Sequence, residues 1–161
     1  MLSDLRRLAF LTPLVGLAVL LAAFGFQYIV GLEPCVLCVY QRWPWVAAIL
    51  LGAIAFGLGA NRTVLLLAVL ALLTGAGIGV FHVGVEQHWW TGTSACGGQG
   101  GAAQTVEELK RQLLATKVAR CDQVAWSLFG ISMAGYNVLL SAGLAGLLAS
   151  GLIRNRWRRR P

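Results

Sequence analysis

Apolar residues fall along this chain in four long blocks, at about 8–30, 45–60, 63–85 and 126–153. Three of them meet the roughly 20 residues that a helix needs to cross the hydrocarbon core of a bilayer, and the second falls slightly short. Residues ahead of Trp45 are therefore expected to extend the second helix outward. Asn61 and Arg62 make a tight break between the second and third blocks. The first block starts beside Arg6 and Arg7 like a signal peptide, yet it runs on through Phe24, Phe26, Tyr28 and Ile29. A cleavable apolar segment is only about 7 to 15 residues long. Pro13 is placed in the first turns of its helix, where proline is tolerated best. The pattern predicts an all-α membrane protein, an antiparallel bundle of four transmembrane helices. Residues 1–161 read as a single integral membrane domain, with loops at about 31–44 and 86–125 on one side.

Small residues mark where these helices are expected to touch. Gly75, Gly77 and Gly79 in the third block, and Ala142, Gly143, Ala145, Gly146 and Ala149 in the fourth, suit close helix approach. In the second loop Thr105 and Glu108 fit a capping box, and Val106, Leu109, Leu113, Leu114 and Val118 recur at helical spacing. Glu107, Lys110, Arg111 and Lys117 fill the opposite face, so a short interfacial amphipathic helix is expected on the membrane surface. A partner-binding helix is the other reading. Gly97, Gly98, Gln99, Gly100 and Gly101 form a hinge before it. Trp43, Trp45, Trp89, Trp90 and Trp126 sit at the outer block ends, where indoles anchor in the interface.

Composition agrees with a membrane chain: 58% of residues are hydrophobic and 12% charged, against roughly 25% charged in soluble domains. The net charge of +7 raises nucleic acid as a partner, but the positions of the basic residues point elsewhere. Arg6, Arg7, Arg62, Arg154, Arg156, Arg158, Arg159 and Arg160 all fall on one side of the blocks. By the positive-inside rule that side is cytoplasmic, with both termini on it. Arg42, Lys110, Arg111, Lys117 and Arg120 lie in the opposite loops beside Glu33, Glu86, Glu107, Glu108 and Asp122.

The four cysteines carry the candidate chemistry. Cys35, Cys38, Cys96 and Cys121 all fall in the two outer loops, whereas cysteines that merely fill space would scatter through the helices. On an oxidising side of the membrane four thiols read first as disulfides, one pair per loop being the simplest arrangement. Cys35 and Cys38 form a Cys-Val-Leu-Cys motif after Pro34 and directly before a helix, where backbone N–H groups stabilise a thiolate. Arg42, four residues beyond Cys38, shares its face if the helix has begun there; it then stabilises a thiolate or a quinone oxygen, or simply snorkels to the interface. A bridge between Cys96 and Cys121 closes the loop over the hinge and also reads as a purely structural staple. Zinc generally takes two close pairs of ligands, and only one Cys-x-x-Cys is present, so no metal is expected. His82 and His88 flank Glu86 and are candidates either for proton handling or for plain interface positions. Val39 follows Cys38, so there is no Cys-x-x-Cys-His haem motif, and a membrane quinone remains as electron acceptor.

The run Gln27 to Arg42, Q-Y-I-V-G-L-E-P-C-V-L-C-V-Y-Q-R, resembles the first periplasmic loop of the disulfide bond formation protein B (DsbB) family. Cys121, Asp122, Gln123, Val124, Ala125 and Trp126, with Phe129, Gly130 and Met133, resemble the end of its second loop and the start of its last helix. The resemblance implies a bacterial inner-membrane thiol:quinone oxidoreductase that reoxidises a periplasmic DsbA-like dithiol oxidase. It implies disulfides Cys35–Cys38 and Cys96–Cys121, with Cys96 meeting the partner thiol and Cys121 handing electrons to Cys35. Cys38, Arg42 and His82 would line the quinone, ubiquinone being preferred to menaquinone. Gln41 stands where relatives commonly carry an acid, and the glycine-rich stretch after Cys96 is likewise a departure.

Two other readings compete. A vitamin K epoxide reductase-like quinone reductase also has a four-helix bundle and a Cys-x-x-Cys, but there the motif follows the loop cysteines, whereas here it precedes them. A disulfide-stapled membrane scaffold without enzymatic activity would use the same cysteines as staples.

Overall fold

The structure, a computed structural model, describes residues 2–93, 96, 105–107, 110 and 119–157. Four helices carry the fold: α1 (Leu2–Tyr28), α2 (Val36–Gly57), α3 (Arg62–Glu86) and α4 (Met133–Trp157). All four hold a stretch long and apolar enough to cross a membrane, 22 to 25 residues each. α1 packs on α2 and α4, and α3 on the same two, so the four close into one bundle. The short link from α2 to α3 makes those neighbours antiparallel. At its end Asn61 caps α3, its side chain accepting from the N–H groups of Thr63 and Val64 at 3.0 and 3.3 Å.

Every helix contributes to the core: Leu5, Ala9 and Leu20 from α1, Trp45, Ala48 and Ala55 from α2, Leu65, Ala68 and Leu72 from α3, and Leu144, Ala145, Leu148 and Leu152 from α4. Leu21, Leu50, Leu70 and Leu147 face outward and are exposed. An apolar exterior of this kind is suited to lipid rather than to water.

Several boundaries differ from the sequence pattern, each for a local reason. α1 begins at Leu2, so Pro13 lies well inside the helix. Its ring packs where Gly52 of α2 leaves room, since a Cβ there would meet Pro13 Cδ at 2.8 Å. α2 begins at Val36, so Cys38, Gln41 and Arg42 are all helical and Cys35 is its N-cap. The fourth block is not one helix. Ser127–Leu128 (β1) pairs antiparallel with Ile131–Ser132 (β2), and α4 follows directly. Phe129 and Gly130 turn between them with φ of 51° and 78°, the positive pair that a type I′ two-residue hairpin requires.

The small residues divide likewise. A Cβ on Gly75 would meet Pro44 at 3.0 Å and one on Gly79 would meet Val138 at 2.7 Å, so both mark close packing. Gly77, Gly143 and Gly146 face open space, and of the small residues singled out in the fourth block only Ala145 is buried. Trp45 is a core residue, 1% exposed, rather than an interface anchor. Its indole N–H donates to Asn137 Oδ1 at 2.7 Å, and Asn137 Nδ2 donates to the Gly75 carbonyl at 3.3 Å, tying α2, α3 and α4 together. The hinge at 97–101 and most of the amphipathic segment, residues 108–109 and 111–118, lie outside the described residues, as do Arg158, Arg159 and Arg160.

Candidate functional site

The site is built where α2 begins and α3 ends. Cys35 caps α2: it is extended (φ −69°, ψ 167°), and its sulfur accepts the Cys38 backbone N–H at 3.2 Å. One helical turn brings Cys38 back over it, and the two Sγ atoms stand 2.7 Å apart as free cysteines. Cys35 is buried and Cys38 half-buried. A sulfur at a helix N-terminus meets free N–H groups and the positive end of the helix dipole, and both favour the thiolate. The Cys38 thiol donated to Cys35 lowers the Cys35 pKa most; burial opposes this, and the hydrogen bond from His82 supports it. Cys35 is held down to about 5 from the ordinary 9.0.

α3 supplies His82, 3% exposed, whose Nε2 lies 3.5 Å from Cys35 Sγ. Its Nδ1 is 2.7 Å from Gln41 Nε2 on α2. One turn further along α3, Glu86 Oε1 stands 3.9 Å from His82 Nε2, and its Oε2 accepts the Ser132 hydroxyl at 2.5 Å. Glu86, which the pattern of polar residues assigns to the loop, is thus the buried last residue of a membrane-length helix. His88 turns outward with φ 58° and is exposed, so of the two histidines only His82 meets the cysteines.

Arg42 lies on the side of α2 toward α1. Its Nη1 donates to Gln27 Oε1 at 2.7 Å, and its guanidinium carbon sits 4.8 Å from the Phe24 ring centroid. These contacts hold a planar, multiply donating cation one turn from Cys38.

Cys96 and Cys121 are joined in a disulfide, with Cα atoms 5.1 Å apart. The Thr93 hydroxyl donates to Cys96 Sγ at 3.3 Å, and the Cys121 N–H donates to the Cys96 carbonyl at 3.2 Å. Gly92 leaves room for the bridge: a Cβ there would fall 2.8 Å from the Cys96 Cβ. The bridge does not stand apart from the first pair. Cys35, Leu37, Val85, Cys96 and Cys121 form one buried cluster, with Cys38, Phe81 and Ala119 packed against it.

Cys35, Cys38 and His82 bring three donor atoms within 4.8 Å of one another. Two thiolates around a single tetrahedral zinc ion stand roughly 3.8 Å apart. The 2.7 Å separation here is too short for two thiolates sharing such an ion.

Four membrane-length helices gathering two cysteine pairs at one end define a membrane thiol–disulfide oxidoreductase. Residues 5–151 match the family described as Disulfide bond formation protein DsbB, and the chain belongs to that family. Relatives named Disulfide bond formation protein B include one from Verminephrobacter eiseniae, 32% identical, with 92% of this chain and 85% of the relative covered. Another, from Xanthomonas oryzae pv. oryzae, is 33% identical over 86% of each chain. Disulfide bond formation protein B 2 of Pseudomonas syringae pv. syringae is 30% identical, with 89% and 86% covered. No solved structure matches the chain. The protein is accordingly a multi-pass membrane oxidoreductase of disulfide bond formation.

Gln41, Glu86, Ser132 and Gln27 have contacts at this site that sequence reasoning did not supply. The spacing of His82 and Glu86, four apart at the end of an apolar helix, was the available signal. Nothing in the sequence pairs Gln41 with His82 or Ser132 with Glu86.

Proposed function

We propose that this protein is a thiol:quinone oxidoreductase that reoxidises a DsbA-like dithiol protein in the periplasm of a bacterium. The whole chain acts as one domain of the inner membrane. The bias of Arg6, Arg7, Arg62 and Arg154 to one side supports cytoplasmic termini and periplasmic cysteine loops. The observation that carries the reading is the shared cluster: two cysteine pairs, one near the first loop and one in the second, are packed together at the same end of the bundle.

Electrons enter at the Cys96–Cys121 bridge. A partner thiolate attacks Cys96, forming a mixed disulfide and releasing Cys121 as a thiolate. Cys121 passes the pair of electrons to the inner pair by attacking Cys35, and Cys38 departs as a thiolate. The second partner thiol resolves the mixed disulfide; Cys96 then reforms its bond to Cys121 and releases Cys35. Cys35 rebonds to Cys38 as two electrons leave the protein. An oxidant stronger than a dithiol near −120 mV is needed, each 30 mV of the difference being about 1.4 kcal/mol. A quinone, when bound, supplies that two-electron acceptor.

The residues fit such a group. Cys38 is half-buried at the membrane end of the pair, and Arg42 carries donors beyond the one engaged by Gln27, suited to an acceptor oxygen. Phe24 adds an apolar wall behind Arg42, and His82 lies against Cys35 of the sulfur pair. Ubiquinone is the preferred candidate.

The test is the rate at which purified protein in detergent reduces a short-chain ubiquinone when given a reduced DsbA-like thiol protein. Turnover that disappears in Cys38→Ser supports the reading. A folded, disulfide-intact protein that turns over neither ubiquinone nor menaquinone analogues rejects it.

A further inference from the structure

Gln41 and Glu86 take no part in the sulfur exchange, yet Gln41 is hydrogen-bonded to one nitrogen of the imidazole that touches it and Glu86 stands 3.9 Å from the other. Gln41 Nε2 donates to His82 Nδ1 at 2.7 Å, which requires that nitrogen to be bare. Glu86 Oε1, 3.9 Å from Nε2, draws the ring proton to that side. Both neighbours therefore select the same tautomer, with the proton on Nε2 facing Cys35 Sγ at 3.5 Å. Glu86 is itself held: the Ser132 hydroxyl donates to Oε2 at 2.5 Å, and the Gly135 N–H donates to Ser132 Oγ at 3.2 Å. Gln41, His82, Glu86 and Ser132 are each no more than 9% exposed. A carboxyl buried at the end of an apolar span is costly, and such groups are kept where they serve function.

We propose that Gln41 and Glu86 are positioning residues for the sulfur exchange, fixing His82 as the Nε2–H tautomer whose hydrogen is aimed at Cys35. Cys35 reacts as a thiolate twice, leaving when its bond to the second loop resolves and attacking when its bond to Cys38 reforms. In each case the His82 N–H donates to the anionic sulfur. When the Cys35–Cys38 bond forms, two electrons leave the sulfur pair, the proton stays on Nε2, and Glu86 Oε1 remains its nearest anion at 3.9 Å. No proton crosses the ring. The proposal rests on Cys35 being an exchanging sulfur and is independent of which acceptor takes the electrons.

Cys35 is faced by Cys38 from α2 and by His82 from α3, with Glu86 one turn on beside the His82 ring. Ser132 adds only a hydroxyl, the Cys96–Cys121 bridge does not titrate, and Arg42 is turned toward Gln27 and Phe24 of α1. The test is the pH midpoint of Cys35 alkylation by iodoacetamide, read by peptide mass spectrometry on the full chain with the inner pair reduced and no quinone present. Failure of the quinone reading leaves this titration untouched.

Glu86→Gln and Gln41→Leu are each expected to raise the midpoint by roughly one pH unit. Glu86→Asp is expected to stay near wild type. Simple loss of an anion beside a thiolate works in the opposite direction, favouring ionisation and lowering the midpoint. In a His82→Ala background, Glu86→Gln should give no further rise. An unchanged or lowered midpoint in Glu86→Gln, or an equal rise without His82, overturns the proposal. Should Glu86→Gln not fold, Gln41→Leu on the other helix decides it, an unchanged midpoint again being fatal.

Discussion

Cys35 Sγ and His82 Nε2, 47 residues apart in sequence, meet at 3.5 Å where the start of α2 crosses the end of α3. That contact joins a nucleophile at a helix N-terminus to a ring nitrogen, and it makes the sulfur's charge state depend on two helices at once.

The pH response of the inner pair follows. The folded-state pKa of Cys35 lies below its ordinary value, at about 5 against 9.0. Ionisation therefore favours the fold of the reduced protein; the contribution is complete above pH 9.0 and is lost as pH falls to about 5. Alkylation of Cys35 should persist at neutral pH and fade near pH 5, and His82→Ala should move that fade upward.

Arg42 should act on the electron acceptor more than on the thiols. With Gln27 and Phe24 fixing its guanidinium, Arg42→Leu should raise the KM for a short-chain ubiquinone at least about tenfold, about 1.4 kcal/mol. Steady-state kinetics with saturating dithiol partner would reveal this. Arg42→Lys should recover only part of the effect, because an ammonium lacks the planar fork.

The Trp45 indole is buried against Asn137. Asn137→Leu leaves that N–H and the Gly75 carbonyl without their partner, which should cost about 1–3 kcal/mol. Thermal unfolding in detergent should register a lower midpoint, while Cys35 reactivity stays as in wild type.

Gly79 and Gly77 lie one above the other in sequence but on different faces. Gly79→Val drives a side chain into Val138 and Asn137 and should separate α3 from α4, whereas a Cβ at Gly77 has nothing within 4 Å. Only the first should reduce thermal stability in detergent; equal losses would contradict the packing described.

Much of this fold was visible in the sequence because a membrane span needs a long apolar run, and four such runs are present. What periodicity could not reveal was where a run changes structure. Trp126, Leu128, Phe129 and Ile131 look like helix because they are apolar, yet Gly130 permits a tight hairpin that delays α4 to Met133. Trp45 sits at a block end, where interface anchoring is the default, but Asn137 on a distant helix offers its N–H a buried partner. The cysteines stood out at once through their spacing and placement. Gln41 and Glu86 did not, since an amide and a carboxylate near a membrane surface are ordinary until folding sets both against one imidazole.

The proposed relay takes reducing equivalents from the outer pair to the inner pair and then out of the protein. Fully oxidised protein, stripped of quinone, should be mixed with one equivalent of reduced DsbA-like protein, quenched with an alkylating agent, and its free cysteines mapped. Such a relay puts label on Cys35 and Cys38, or forms an intermediate linking them to Cys96 or Cys121, and the label is lost once ubiquinone is added. Label confined to Cys96 and Cys121, with Cys35 and Cys38 remaining oxidised throughout, would contradict it.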